Sequence, residues 1–191
     1  MKHRADFFDL LTRTEFSTPE GLCEFQAWAE RCAGLLEDVR DQGAKVYLLG
    51  NGASQAMSSH YAADLTKNAL VPAFALSDAA MLTCFANDYS FQDAFSEILK
   101  RHLGPRDALI AISSSGRSPN VLAACDVARA SARPVITLSG FAHDNPLRLA
   151  GSHSAYVPCE AYGHVECGHA YLMHTLLDLL CERRGGSGHS E

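Results

Sequence analysis

From Lys45 onward the chain alternates short apolar runs with longer amphipathic stretches. Val46-Tyr47-Leu48-Leu49 and Ala108-Leu109-Ile110-Ala111-Ile112 carry no polar residue at every second position. Such a run reads as a strand buried on both faces, the habit of parallel sheets. Strands are expected at 45–49, 73–76, 107–112, 134–138 and 154–157, and helices at 53–68, 78–86, 91–102, 118–131 and 165–183. Strands each followed by a helix, joined by right-handed crossovers, give an α/β fold, a three-layer doubly wound sandwich with a central parallel sheet. In such sheets ligands gather at the carboxyl ends of the strands.

Residues 1–42 read as added N-terminal helices. Phe7, Phe8, Leu10 and Leu11 cluster, and Thr18-Pro19-Glu20 offers an N-cap, a first-turn proline and an acid. Leu22, Phe25, Trp28, Ala29, Cys32, Leu35 and Leu36 follow at helical spacing, and Gly43 ends the stretch. The expected organisation is one domain: helices over 1–42, an α/β core over 43–184 and a disordered tail over 185–191.

Two strand ends carry chemistry. Val46–Leu49 breaks at Gly50-Asn51-Gly52-Ala53-Ser54 and resumes as a helix. Free N–H groups and the positive helix end make that turn an anion cradle. The 107–112 strand runs into Ser113-Ser114-Ser115-Gly116-Arg117-Ser118-Pro119-Asn120, whose hydroxyls and N–H groups suit phosphate oxygens. Serine and glycine also serve plain turns and caps, but a second loop of this kind favours a ligand. No dinucleotide fingerprint or Walker A motif occurs, which argues against a nucleotide. Asn87-Asp88-Tyr89 is placed between two helices, with Asp88 either holding substrate hydroxyls or capping a helix at Phe91. Thr137-Leu138-Ser139-Gly140 reads as a strand-end turn.

His60 and Asp64, four apart, share a helix face. On the last helix Glu166 and His169 are i,i+3, and His174 lies about 80° round from Glu166, so the two converge if Glu166 sits at a frayed helix start. His60, Asp64, Glu166 and His174 together would suit zinc or another divalent ion. The alternative for His174, on a helix otherwise reading Leu172, Met173, Leu176 and Leu177, is a packed, hydrogen-bonded residue.

Composition narrows the class. The 191 residues are 47% hydrophobic and 20% charged with net charge −6, so no basic stripe suggests nucleic acid. No apolar run approaches the roughly 18 residues of a membrane span, and Met1–Asp6 lacks the apolar core of a leader. Seven cysteines without a C-x-x-C pair suggest reduced thiols in the cytoplasm. Cys167 adjoins candidate site residues and is read as a small packed residue.

The Gly50–Ser54 loop, the Ser113–Ser118 loop and the Glu166…His174 helix resemble the sugar isomerase (SIS) domain, and within it the phosphoheptose isomerases. The N-terminal helices, Asn87-Asp88 and Thr137–Gly140 extend the resemblance over nearly the whole chain. It implies a flavodoxin-like sandwich and conversion of sedoheptulose 7-phosphate to glycero-manno-heptose 7-phosphate, the first step of nucleotide-activated heptose biosynthesis. It also implies a homotetramer with sites between subunits, and zinc on His60, Asp64, Glu166 and His174. Asn51, Gly52, Ala53 and Ser54 would line the sugar, Asn87 and Asp88 its hydroxyls, and Ser113, Ser114, Ser115 and Ser118 the phosphate. Asp64 or Glu166 would be the base and His174 the proton shuttle. Two residues depart from the family pattern: Asp64 stands where glutamate is usual, and Glu166 where glutamine is usual. Alternatives are an isomerase of another ketose phosphate, or a non-catalytic SIS module that binds a phosphosugar or serves as a scaffold.

Overall fold

The computed structural model of the protein describes residues 2–185, with side chains from Phe7 onward; residues 186–191 of the expected disordered tail lie outside the described residues. Among the described residues, seven strands form one sheet: β1 (Glu15–Thr18), β2 (Gly21–Cys23), β3 (Val46–Leu49), β4 (Ala73–Ala75), β5 (Ala108–Ser113), β6 (Val135–Gly140) and β7 (His153–Val157). The helices among these residues are α1 (Lys2–Thr12), α2 (Phe25–Asp41), α3 (Ala53–Lys67), α4 (Ala79–Asp88), α5 (Ala94–His102), α6 (Pro119–Ala130), α7 (Pro146–Ala150) and α8 (Tyr162–Arg183). The sheet order is β2-β1-β7-β6-β5-β3-β4. The five strands expected from the apolar runs pair in parallel, in the order β4-β3-β5-β6-β7. Chain direction reverses across the sheet between β3 and β5, so these two form the switch point where α/β sheets bind ligands.

The central strands β3, β5, β6 and β7 are buried on both faces. Val46 and Leu48 of β3 and Ile110 and Ile112 of β5 pack with α2, α3 and α8. Tyr47, Leu49, Leu109 and Ala111 turn the other way, against α5, α6 and α7. Trp28 is fully buried beneath Phe16 and Phe25, its ring 5.3 Å from Phe16 and 6.3 Å from Phe25. Its Nε1 finds no hydrogen-bond partner among the described residues, a cost of about 1–3 kcal/mol. Burial of an indole of roughly 200 Å² contributes about 5 kcal/mol, so packing wins.

Four expectations are corrected. The segment 1–42 is not all helix: β1 and β2 form a hairpin, and β1 adds antiparallel to β7, so the sheet is mixed. Thr18-Pro19-Glu20 starts no helix. Thr18 pairs with Gly21, leaving Pro19-Glu20 as a two-residue turn, and the Thr18 hydroxyl donates to the Glu20 carboxylate at 2.7 Å. Gly21, at φ +119°, takes the backbone twist that closes the hairpin. Thr137–Gly140 is no turn but the last four residues of β6, buried because β5 and β7 pair on either side. Asn87 and Asp88 do not lie between helices; they are the last two residues of α4. Asp88 therefore caps nothing at Phe91, and the next helix opens at Ala94 behind Asp93.

His169 on α8 is completely buried, and its Nε2 donates to the Ser139 carbonyl of β6 at 3.0 Å. Burial lowers its pKa to about 4, opposed by that backbone hydrogen bond. The neutral ring contributes equally above about pH 6.5. Between about 6.5 and 4 the unfolded chain takes up a proton that the native ring refuses, so stability falls as pH falls, by of order 3 kcal/mol across the window. Thermal unfolding should lose more on going from pH 7 to pH 5 in the unaltered chain than in His169→Gln. Equal losses would show that His169 does not set the acid limit.

Candidate active site

The cradle is built at the switch point. Gly50 leaves β3 beneath α3 with no room for a side chain: a Cβ there would lie 2.6 Å from the Ser54 Cβ and 2.8 Å from the Ile112 carbonyl of β5. Gly52, at φ +53°, is the N-cap of α3 and offers no capping side chain. The N–H groups of Asn51, Gly52 and Ala53 engage no backbone acceptor among the described residues, and the first turn of a helix of this length presents its positive end there. Gly52 and Ala53 are exposed, Asn51 is half-buried and Ser54 is buried.

The serine loop lies alongside. Ser118 is the N-cap of α6, with Pro119 as its first residue, yet its hydroxyl does not cap the helix. It faces the Ser113 hydroxyl at 3.1 Å instead. Ser113 and Ser114 are buried, Ser115 is half-buried with its Oγ accepting from the Arg117 N–H, and the Arg117 guanidinium holds Asp144 at 2.8 Å.

Two residues to which the sequence alone gave no role of their own tie the loops in place. Asn120, in the first turn of α6, exchanges two amide hydrogen bonds of 2.9 Å with Asn51. Asn145 donates to the Gly140 and Ala142 carbonyls and accepts from the Arg148 N–H. A Cβ on Gly116, whose φ is +62°, would run into Asn145. Asparagine early in a helix, where it is a poor helix former, was the available hint for Asn120.

Farther along α3, the His60 Nε2 lies 3.3 Å from the Asp64 carboxylate. The His174 ring of α8 meets the His60 and Tyr61 rings edge-on, at centroid distances of 5.6 and 5.0 Å. The Tyr61 hydroxyl donates to the Ala170 carbonyl at 2.7 Å, which fixes α3 against α8 one turn before His174. Burial, and secondarily the Asp64 carboxylate, hold the Tyr61 phenol protonated. One ligand atom each from His60, Asp64 and His174 lies within 4.8 Å of the others. Donors on a tetrahedral zinc with bonds of about 2.0–2.1 Å stand about 3.3 Å apart. The His60–Asp64 pair already has that spacing, so the residues fit a divalent ion with three protein ligands.

Glu166, expected as a fourth ligand and possible base, is not in this group. The frayed start invoked for it does not exist: α8 is helical from Tyr162, so eight residues of regular helix set Glu166 about 12 Å along the axis from His174. Asp64 alone of the two carboxylates stands beside His174. Asn87 and Asp88 are exposed on α4 and bond within that helix end, with the Asn87 Nδ2 3.1 Å from the Asp88 carboxylate. All seven cysteines are free thiols, and Cys167, expected to be packed, is exposed.

Gly50→Ala tests the close approach at the switch point. Forcing a Cβ between Ser54 and the Ile112 carbonyl should cost about 1–3 kcal/mol, read as a lowered urea midpoint. An unchanged midpoint would mean that the two loops are not so tightly packed.

Comparison with known proteins agrees with this geometry. A family model described as the SIS domain matches residues 26–140. A protein named phosphoheptose isomerase from Klebsiella pneumoniae is 33% identical over 159 residues, covering 79% of this chain and 81% of that one. The solved phosphoheptose isomerase from Neisseria gonorrhoeae superposes with a TM-score of 0.81 at 26% identity, over 94% of this chain and 96% of that one. A phosphoheptose isomerase structure from Francisella tularensis shares the fold, with a TM-score of 0.74 over 82% and 86% of the two chains at 24% identity. No helix among the described residues is long and apolar enough to cross a membrane. The chain belongs to the SIS domain family, on its phosphoheptose isomerase branch.

Proposed function

We propose that this chain isomerises sedoheptulose 7-phosphate to D-glycero-D-manno-heptose 7-phosphate, the first step toward nucleotide-activated heptose. The supporting observation is that the anion cradle and the His60–Asp64 pair are built on one helix, α3, with His174 of α8 beside that pair. Ala53 and His60 are separated by about 10 Å of α3, a span that a phosphorylated sugar of several carbons bridges.

In this reading Ser113, Ser114, Ser115 and Ser118 hold the phosphate, with the N–H groups at the start of α3. Asn51, Gly52, Ala53 and Ser54 line the sugar, and Asn87 and Asp88 take its hydroxyls. Holding the far end of the substrate converts remote binding energy into placement of the reacting carbons. Asp64 removes a proton from C1 of the ketose, giving a cis-enediolate, and returns it to C2. His174 carries the hydroxyl proton from O1 to O2, so no atom is gained or lost. Glu166, set apart on α8, is assigned no proton transfer. Zinc or another divalent ion bound by His60, Asp64 and His174 would supply a Lewis acid for the substrate carbonyl.

The assembly in this reading is a homotetramer with sites between subunits. It is supported by the exposure of the His60 and His174 rings and by α4, which carries Asn87 and Asp88 and buries no residue within one chain. Seven free thiols suit the reducing cytoplasm.

NMR of the sugars during incubation with sedoheptulose 7-phosphate decides the reaction. Conversion that a chelator stops and added zinc restores is expected; absence of conversion with every divalent metal would overturn the assignment. Asp64→Asn and His174→Gln should each lower kcat by about 10²–10⁴, the range of a lost general acid or base, with substrate binding nearly unchanged. Wild-type turnover in either variant removes that residue from the proton transfers.

A further inference from the structure

Asn120 is a polar side chain only 2% exposed, in a helix turn where its amide has no call to be buried. Burial without partners would cost about 1–3 kcal/mol. The bonds it makes are local or to one residue of the other loop. Its Oδ1 accepts from the Asn51 Nδ2 at 2.9 Å and from the Val121 N–H at 3.0 Å, and its Nδ2 donates to the Asn51 Oδ1 at 2.9 Å. The two residues are 69 positions apart in sequence. They join the end of β3, which carries one half of the cradle, to the first turn of α6, which carries the other. The bond to Val121 fixes the Asn120 rotamer, so the pair has a defined orientation as well as a length.

We infer that Asn120 is a positioning residue for the substrate phosphate, acting through Asn51 to set the distance between the two halves of the anion cradle. N–H groups at Asn51–Ala53 and hydroxyls at Ser113–Ser118 bind one phosphate together only if the two loops hold a fixed separation. Displacement on the scale of 1 Å can cost about a hundredfold when several groups must converge. The amide pair supplies that separation without adding charge to the cradle. It also uses one N–H and one lone pair of Asn51, so Asn51 serves the ligand as much by holding its own loop as by touching the sugar. This rests on the reading of the two loops as a phosphate site.

The test is a double-mutant cycle of Asn51→Ala, Asn120→Ala and the double variant, with inorganic phosphate as the titrated probe and sedoheptulose 7-phosphate as substrate. Asn120→Ala should weaken phosphate binding about tenfold and raise KM by a similar factor, with a smaller change in kcat. In the Asn51→Ala background the same substitution should change phosphate affinity less than twofold, because the pair acts as a unit. If Asn120→Ala does not fold, Asn120→Ser replaces it, keeping an oxygen for the Val121 N–H while losing the reach to Asn51. Additive losses, or a lowered Tm with phosphate affinity intact, overturn the inference. An unaltered chain that binds phosphate but converts no heptulose overturns the proposed reaction and leaves the cycle decisive for Asn120. An unaltered chain that binds no phosphate overturns both.

Discussion

Parallel strands cannot be joined by a tight turn, and the site depends on that constraint. β3 and β5 lie side by side in register, Val46 beside Ala108 through Leu49 beside Ala111. Because they run in the same direction, both must release their chains at the same end of the sheet. The crossovers leave them on opposite sides of the reversal in strand order, so the two emerging loops open a crevice rather than fill it. Gly50 then lets Ser54 of α3 and the Ile112 carbonyl of β5 both close on its backbone, where any side chain would stand. The two half-cradles are brought together by strand pairing first and by side-chain chemistry second.

Charge has a modest part in this design. A chain of net charge −6 offers an anion two helix N-termini and a row of hydroxyls, and the guanidinium in the serine loop is already held by Asp144. Neutral donors fixed by the fold bind phosphate through direction rather than through overall potential. The ionisable groups stand elsewhere, at the junction of α3 with α8. Tyr61 holds that junction from within, with its ring buried and its hydroxyl on a backbone carbonyl.

Much of this was legible in the sequence for physical reasons. Strands covered on both faces must be apolar throughout, and β3 and β5 were visible for that reason. Loops that bind phosphate need glycine and serine, and both stood out at strand ends. His60 and Asp64 were readable because four residues is one helical turn, a purely local relation. What escaped was non-local or ambiguous. Pro19-Glu20 suits a helix start and a hairpin turn equally well, and only the pairing of Phe16 with Ala155 decides between them. Asn120 acquires its role from a residue on another strand end. Glu166 looked convergent with His174 by angle, but rise along the helix separates them. Thr137–Gly140 carries the polar residues of a turn, yet flanking strands keep it extended.

Ser118 turns away from the helix it precedes, and Gly52 has no side chain to offer the other. Both helices therefore begin without a side-chain cap, and in the proposed reading a phosphate seated between them would act as the missing one. A ligand that serves as a cap binds the native state and ignores the unfolded chain, so its concentration enters the folding equilibrium directly. At a free concentration one hundred times its Kd, the gain is about 2.7 kcal/mol. That is a sizeable share of the roughly 5–15 kcal/mol by which a native protein typically exceeds its unfolded state. In that reading, the stability of this protein would rise with the supply of its phosphorylated ligand, a form of housekeeping that requires no separate regulatory site.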